Sequence, residues 1–323
     1  MTATIAQTLT SRIGRSTIGV AVSVAILGVA GYTLYELLRG IEFDKVIAAL
    51  TAQSVPKLVI AGGFTAAAYV ALTFYDLFAL HVIDRKKVPY SIAALASFTS
   101  STIGHNLGAA ILTGGMIRLR IYSVWGLTVV DVAKIAVLTG ITFWLGNAFL
   151  LGMTAAYIPE AATTVDHLPS WLNRGMGFAG LAGIACYLLW LAPAPRAVGR
   201  SGWRIELPNF RQTLLQIGIG ALDLIFVTLA MYILLPATPA VGLPNLMMVF
   251  LTATLLGTVS HAPAGLGVIE ATMLLGLPQY PREALLAALL TFRALYFLLP
   301  LFLASLMLGI RELRMLPRAA KSR

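Results

Sequence analysis

Two stretches combine glycine, histidine and polar side chains inside segments that are otherwise apolar. Residues 102–115 read TIGHNLGAAILTGG, and residues 258–270 read TVSHAPAGLGVIE. We name them the first break and the second break. Hydrocarbon offers no hydrogen-bond partner, so irregular backbone survives at membrane depth only where it is packed in protein or lines a cavity. The two breaks therefore predict a polar site inside a membrane protein.

Ionisable residues within the apolar segments are few, and each costs about 2.5 to 3.5 kcal/mol at the bilayer centre unless it is paired or hydrated. They are Asp76, Asp223, Glu270 and Arg293. Opposite charges in a bundle neutralise each other, so one interpretation is that Arg293 pairs with Glu270 or Asp223 and pins helices together. For Asp76 the alternative is an acid at the membrane surface.

Several polar residues lie in or directly after the breaks. Arg118 and Arg120 follow the first break, and they are either head-group ligands or positively charged anchors on the cytoplasmic side. His105 and His261 are either ligand contacts or donors to the carbonyls that a broken helix frees. The sequence leaves both alternatives open.

The sequence contains no enzyme signature. The histidines show no i, i+4 pairing with a carboxylate partner, so a helical zinc site is not expected. The glycines of residues 113–115 lack a phosphate-loop lysine, and Cys186 has no second cysteine to pair with. We therefore expect neither a catalytic residue, nor a metal, nor a cofactor.

The elements that position these residues are membrane-spanning helices. The chain has 323 residues, of which 59% are hydrophobic and 11% charged, which is typical of an integral helical membrane protein. A helix needs about 20 apolar residues to cross a bilayer. Six runs reach or approach this length, namely 17–38, 58–83, 135–158, 172–191, 214–235 and 284–308. The expected fold is all-α and polytopic, in a single transmembrane domain covering 1–323.

Basic residues mark the cytoplasmic side of a membrane protein, so Lys and Arg in the loops distinguish the topologies. If both broken segments cross, 11 basic residues lie on each side. If 91–122 re-enters from the cytoplasm and 245–277 from outside, 17 lie inside and 5 outside. Turning back only the second segment, with the N-terminus outside, gives 15 against 7. The counts favour six full spans plus two re-entrant hairpins, with eight full spans as the alternative.

The favoured topology is an inverted repeat, with one copy over 17–158 and the other over 172–308. Inverted repeats whose broken helices meet near the midplane are common in secondary transporters. The run 17–38 lacks an evident cleavage site, so we read it as an uncleaved span. Both termini are expected in the cytoplasm of a bacterial cell, with the protein in the inner membrane. The net charge of +10 is spread over short loops, so it indicates topology and not nucleic-acid binding.

The two breaks also carry motifs that resemble the lysylphosphatidylglycerol synthase transmembrane family, the lipid-flippase portion of bacterial multiple peptide resistance factors. The first motif is His105-Asn106-Leu107-Gly108 followed by Thr113-Gly114-Gly115, Arg118, Arg120 and Tyr122. The second is Ser260-His261 followed by Pro263, Gly265-Leu266-Gly267-Val268 and Glu270. Ala264-Gly265 departs mildly from the paired glycines of the family. Full-length members continue into a soluble aminoacyltransferase domain, which is not expected here because the chain ends at Arg323.

The resemblance implies a phospholipid translocase that handles aminoacylated or other polar-headed lipids. Arg118, with His105 and Asn106, would bind the lipid phosphate through charge-assisted hydrogen bonds. The carboxylates would meet a cationic head group or relay protons, and Arg293 would hold one of them in place. The predicted lipid-binding residues are His105, Asn106, Arg118, Arg120, His261 and Glu270, and the predicted charge network is Asp76, Asp223 and Arg293.

Two other functions fit the same sequence. One is a non-transporting accessory protein that scaffolds or regulates a lipid- or glycan-modifying enzyme encoded elsewhere, and the other is an integral-membrane transferase acting on lipid-linked substrates. Transport predicts a hydrated cavity that reaches both breaks, whereas a scaffold predicts breaks that are packed and dry. The sequence leaves open the identity of the lipid, the direction of movement, its energy source and whether the chain forms a homo-oligomer.

Overall fold

The computed structural model describes residues 32, 35 and 42–320, apart from 108–109, 194–195 and 201–202. Within them the helices are α1 (Phe43–Thr51), α2 (Val55–Val82), α3 (Tyr90–Leu107), α4 (Ala110–Tyr122), α5 (Val129–Tyr157), α6 (Pro159–Asp166), α7 (Ser170–Leu191), α8 (Phe210–Leu234), α9 (Leu243–Ser260), α10 (Val268–Gly276), α11 (Arg282–Arg293) and α12 (Leu299–Ala320). Short 3₁₀ turns occupy Ser123–Trp125 and Pro263–Gly265, and a π-helical turn, Ala294–Leu298, joins α11 to α12. The antiparallel strands β1 (Ala197–Arg200) and β2 (Trp203–Glu206) form a hairpin before α8.

Among the described residues, six helical segments are long and apolar enough to cross a membrane, which confirms the all-α polytopic fold class. They are Val55–Val82, Val129–Tyr157, Ser170–Leu191, Phe210–Leu234, Leu243–Ser260 and Arg282–Arg311. Five of them match predicted spans, whereas the predicted span 17–38 lies outside the described residues apart from 32 and 35. The sixth is α9, which lies in the segment 245–277 that the charge counts predict to be a re-entrant hairpin.

The first hairpin consists of α3 and α4, and it begins and ends at the same end of α2. The two helices pack against each other, and α3 begins just after α2 ends. Arg85, in the turn after α2, donates from Nη2 to Asp131 in the first turn of α5 at 3.1 Å. Because residues before and after the hairpin are in contact, both of its ends lie at the C-terminal end of α2.

The second hairpin, α9 and α10 with the second break between them, lies at the opposite end. Gly276, the last residue of α10, faces Val249 in the first half of α9, so the helices run antiparallel. Lys57, near the start of α2, donates from Nζ to the carbonyl of Leu235 at 2.6 Å, just after α8 ends. The central helices α2 and α8 are therefore antiparallel, and the second hairpin starts beside the N-terminal end of α2.

The two hairpins meet between these ends. Helix α3, which contains the start of the first break, packs against the turn Pro263–Gly265 in the second break. Helix α3 also packs against α12. The sequence features that we named as breaks are thus brought together by elements that enter from opposite ends of the α2–α8 pair.

Helices α5 and α8 approach each other through glycine. A Cβ added to Gly146 would lie 2.5 Å from the carbonyl carbon of Gly220, and one added to Gly220 would lie 2.4 Å from the carbonyl oxygen of Thr142. Gln216 crosses the same contact and donates to the Leu138 carbonyl at 3.1 Å. The backbones touch here, so a side chain on either glycine forces the helices apart.

We expect Gly146→Ala to lower the free energy of unfolding by about 1 to 3 kcal/mol, because the added methyl group overpacks a backbone-to-backbone contact. Gly140→Ala is the matched control on the same helix, since its Cβ would meet nothing within 4 Å. Unfolding of both variants in mixed micelles measures the difference. Equal stability of the two variants would contradict the close approach of α5 and α8.

Candidate functional site

The first charge cluster joins α2 to α4. Arg118 donates from Nη2 to Oδ1 of Asp76 at 2.8 Å, and from Nε to Oδ1 at 3.2 Å and Oδ2 at 3.0 Å. The hydroxyl of Tyr122 donates to Oδ2 at 2.8 Å. Arg118 and Tyr122 are four residues apart, which places them on one face of α4. Asp76 is fully buried within the protein.

This cluster changes the role expected for Arg118. The sequence predicts that Arg118 binds a lipid phosphate with His105 and Asn106, and that Asp76 forms a charge network with Asp223 and Arg293. In the structure the bidentate ion pair with Asp76 compensates the guanidinium charge. A phosphate that takes over the Nε and Nη2 donors of Arg118 must therefore displace Asp76.

The second charge cluster holds the second break in shape. Glu270 accepts the N–H of Gly267 at 2.8 Å at the start of α10 and also pairs with Nε of Arg293. Nη1 of Arg293 donates to the carbonyl of Ala264 at 3.1 Å. Ala264 has a φ of 51°, a left-handed conformation that is strained for a residue with a side chain. Of the two partners predicted for Arg293, the structure selects Glu270.

The third carboxylate, Asp223, has no cationic partner among the described residues. The hydroxyl of Tyr75 donates to its Oδ2 at 2.9 Å, and its Oδ1 has no hydrogen-bond partner. The residue is buried, with 4% of its surface exposed. The predicted network of Asp76, Asp223 and Arg293 does not form a single cluster. Asp76 pairs with Arg118, Asp223 accepts a hydrogen bond from Tyr75, and Arg293 pairs with Glu270.

The π-helical turn after Arg293 links the last helix to α2 and α3. Pro300 has no N–H to donate to the carbonyl of Tyr296, four residues earlier, and its ring crowds that carbonyl. The hydroxyl of Tyr69 donates to this oxygen at 3.0 Å. Nδ2 of Asn106 donates to the next carbonyl, that of Phe297, at 3.4 Å. The carbonyl that Pro300 leaves without its helical partner thus accepts a hydrogen bond from Tyr69, in the first half of the chain.

We expect Tyr69→Phe to lower the free energy of unfolding by about 1 to 3 kcal/mol, because it removes the side-chain donor to a buried carbonyl. The same substitution in a Pro300→Ala background should be less costly, since alanine restores an N–H at position 300. A double-mutant cycle of unfolding free energies measures this coupling. Additive effects of Tyr69→Phe and Pro300→Ala would contradict the shared carbonyl.

The remaining predicted residues lie around these clusters. His105 lies near the end of α3 with an exposed side chain, and Arg120 is exposed on α4. His261 ends α9 with a φ of 56°, and its Nδ1 lies 2.9 Å from the Val259 carbonyl. That contact matches the interpretation in which a histidine satisfies backbone at a break.

Sequence reasoning missed the roles of Tyr69 and Pro300. The signal was present for Pro300, since a proline inside an apolar helix frees the carbonyl four residues earlier and predicts a local departure from α-helix. The proline does not predict the role of Tyr69. The Tyr69 hydroxyl reaches the Tyr296 carbonyl only because α2 packs against the π-helical turn.

The two best-defined cavities in the described part of the chain lie away from both breaks. One is lined by residues that include Arg196, Glu206 and Gln212, and the other by residues that include Phe210 and Arg211. Both are beside the β-hairpin and the start of α8. Neither cavity reaches the breaks, so neither is the hydrated cavity that transport predicts. In this conformation α3 and the turn Pro263–Gly265 are packed against each other.

Comparison with known proteins finds relatives of this chain. No protein-family model matches the chain. The chain is 28% identical over 272 residues to the inner membrane protein YbhN of Escherichia coli strain K12, covering 82% of this chain and 83% of the relative. It is 32% identical over 264 residues to the uncharacterized protein slr0712 of Synechocystis sp. strain PCC 6803, covering 81% of this chain and 82% of the relative. The chain is therefore a multi-pass membrane protein that belongs to the same family as slr0712 of Synechocystis.

Proposed function

We propose that this protein is a phospholipid translocase of the bacterial inner membrane, with both termini in the cytoplasm. The observation that carries the proposal is the contact between α3 and the turn Pro263–Gly265, since these belong to hairpins that start from opposite ends of the α2–α8 pair. Opposed broken helices that meet within the membrane are the binding architecture of many secondary transporters. The lipid as cargo is inferred from the motifs in both breaks that resemble the lysylphosphatidylglycerol synthase transmembrane family.

In this proposal both hairpins are re-entrant. Helix α4 has 13 residues, which at 1.5 Å per residue reach about 20 Å, short of a hydrocarbon core of about 30 Å. Helix α10 has 9 residues and reaches about 14 Å. These short arms return to the side from which α3 and α9 entered, and the breaks lie at membrane depth.

The two ion pairs provide exchangeable contacts for a lipid head group. A head group with a phosphate and an ammonium group can separate Arg118 from Asp76 by giving each a new partner of opposite charge. The same exchange applies to Arg293 and Glu270 in the second break. Because every buried charge keeps a partner, the exchange avoids the cost of about 3 to 5 kcal/mol that follows when one member of a buried pair is simply removed. Asn106 and the two histidines would supply further polar contacts.

Reconstituted vesicles test this function. The purified protein should speed movement of labelled phospholipids between leaflets, with head groups carrying an ammonium group moving faster than phosphatidylglycerol. Arg118→Lys keeps the charge but cannot make the bidentate contact, so we expect a loss of about tenfold or more, equivalent to about 1.4 kcal/mol. Arg174→Lys, at an exposed position on α7 that belongs to none of the predicted sites, is the control. Equal rates for vesicles with and without protein would contradict the proposal.

A second function, a scaffold for a separately encoded lipid- or glycan-modifying enzyme, is favoured by one observation. Neither of the two best-defined cavities in the described residues reaches a break, as expected if the breaks are packed and dry. In the translocase this conformation is the closed state of an alternating cycle. The vesicle measurement separates the two functions, because a scaffold leaves the leaflet exchange rate at its background value.

A further inference from the structure

The three intramembrane carboxyl groups differ in what compensates their charge. Asp76 has the guanidinium of Arg118, and Glu270 has that of Arg293. Asp223 has only the hydroxyl of Tyr75 on one oxygen and nothing on the other. An ionised carboxylate in an apolar interior without a cation is strongly unfavourable, and such a group neutralises by binding a proton. This difference separates Asp223 from the other two.

Asp223 lies near the middle of α8. It is the fourteenth of the 25 residues of α8, so its Cα lies about 20 Å along the helix from one end and about 16 Å from the other. It is therefore near the middle of an apolar span, where an unpaired charge costs most. Its helix packs most extensively against α2, which supplies the Tyr75 contact.

The surroundings of Asp223 contain titratable groups but no free cation among the described residues. Tyr75 on α2 donates a hydrogen bond to its carboxyl group, and Tyr69 on α2 and Tyr296 on the π-helical turn lie close enough for a charge on Asp223 to act on them. Arg293 on α11 is engaged by Glu270. The other helices that pack against α8, namely α5, α7 and α9, contribute no ionisable side chain that acts on Asp223. The Tyr75 hydroxyl donates one hydrogen bond to the carboxyl group but supplies no positive charge, so burial in an apolar interior still favours the neutral acid.

We propose that Asp223 is a proton-binding site that couples head-group movement to the proton gradient. In the packed conformation the proton is on Oδ1, the oxygen without a partner, while Tyr75 donates to Oδ2. When the hairpins separate and water reaches α8, the carboxylic acid gives this proton to water as hydronium and becomes carboxylate. The coupling depends on the proposed translocase function, whereas the proton site itself does not.

Infrared difference spectroscopy on the purified full chain tests the site without any lipid substrate. Titration with acid and base should reveal a carboxylic-acid C=O band that is lost in Asp223→Asn. Asparagine has a similar shape and still accepts the hydroxyl of Tyr75, so the packing should survive. Tyr75→Phe is the second variant, and it should shift the frequency of the band and the pH at which it disappears. A band that persists unchanged in both variants would overturn the proposal.

Transport in vesicles then tests the coupling separately. A pH gradient should accelerate lipid movement by the wild type, and Asp223→Asn should lose this acceleration. If the infrared band is assigned to Asp223 but no lipid moves in the wild type, the translocase function fails and the proton site stands. If lipid moves in the wild type with the same dependence on the gradient in Asp223→Asn, the translocase stands and the coupling role of Asp223 is contradicted.

Discussion

Replacing Arg118 by glutamine should lower the free energy of unfolding by about 3 to 5 kcal/mol, because it leaves the carboxylate of Asp76 buried without its cation. Asp76 is fully buried, and only the hydroxyl of Tyr122 would remain as a donor. In the proposed translocase the same variant should lose lipid movement, because the proposed phosphate contact uses the guanidinium group. Denaturant titration in mixed micelles and the vesicle assay measure the two effects.

Two further variants separate this explanation from a general loss of packing. Arg120→Gln removes an exposed arginine from the same helix and should cost less than about 1 kcal/mol. Asp76→Asn combined with Arg118→Gln replaces both charges by amides, so it should recover part of the lost stability but not the transport. A double variant less stable than Arg118→Gln alone would show that the pair does not act as a compensated ion pair.

Replacing Glu270 by glutamine should have the second large effect, again about 3 to 5 kcal/mol, because Arg293 then keeps its charge in a buried site without an anion. The Ala264 carbonyl and the ring of Phe297, 5.5 Å from the guanidinium carbon, are its remaining partners. The second break should loosen, since Arg293 ties Glu270 to the strained residue Ala264. Proteolysis or hydrogen exchange across residues 261–267 reports this loosening directly.

Glu160→Gln is the matched control for Glu270→Gln. Both glutamates lie in the first turn of a short helix, but Glu160 is exposed and forms no ion pair among the described residues. Its loss should cost at most about 1 kcal/mol through the helix dipole. Comparable destabilisation by the two substitutions would mean that the pairing with Arg293 contributes little.

The sequence predicted most of the helical framework because lipid-facing and buried positions are both apolar, so long apolar runs mark the spans directly. It also predicted that Arg293 would find an acid, since a lone intramembrane arginine requires one. It could not choose between Glu270 and Asp223. That choice depends on the left-handed turn at Ala264, which brings a carbonyl and Glu270 to the same guanidinium.

The pairing of Asp76 with Arg118 was not predicted, and the reason is geometric. The two residues are separated by 42 positions, and they meet only because α4 folds back along α3, which itself packs against α2. The charge count indicated that the first broken segment returns to its starting side, but it said nothing about which face of α4 would meet α2. The spacing of Arg118 and Tyr122 on one face becomes informative only when that packing is known.

The hairpin that includes α9 shows another limit of composition. Apolarity alone makes α9 a candidate span, whereas the glycines and proline of the second break predict a reversal after it. The two predictions are compatible. A helix of 18 residues can be apolar throughout and still be followed by a turn after which the next helix runs antiparallel to it. Helix length therefore does not by itself distinguish a span from one arm of a hairpin.

The most direct test of the central claim, two hairpins entering from opposite faces, is side-specific labelling of single cysteines in a Cys186→Ser background. Lys87→Cys and Ser123→Cys flank the first hairpin, and Ala240→Cys and Gln279→Cys flank the second, all at exposed positions. The first two should react from the cytoplasmic side and the last two only from the outside. Labelling of Lys87→Cys and Ser123→Cys from opposite sides, as eight single crossings require, would contradict the proposed translocase architecture.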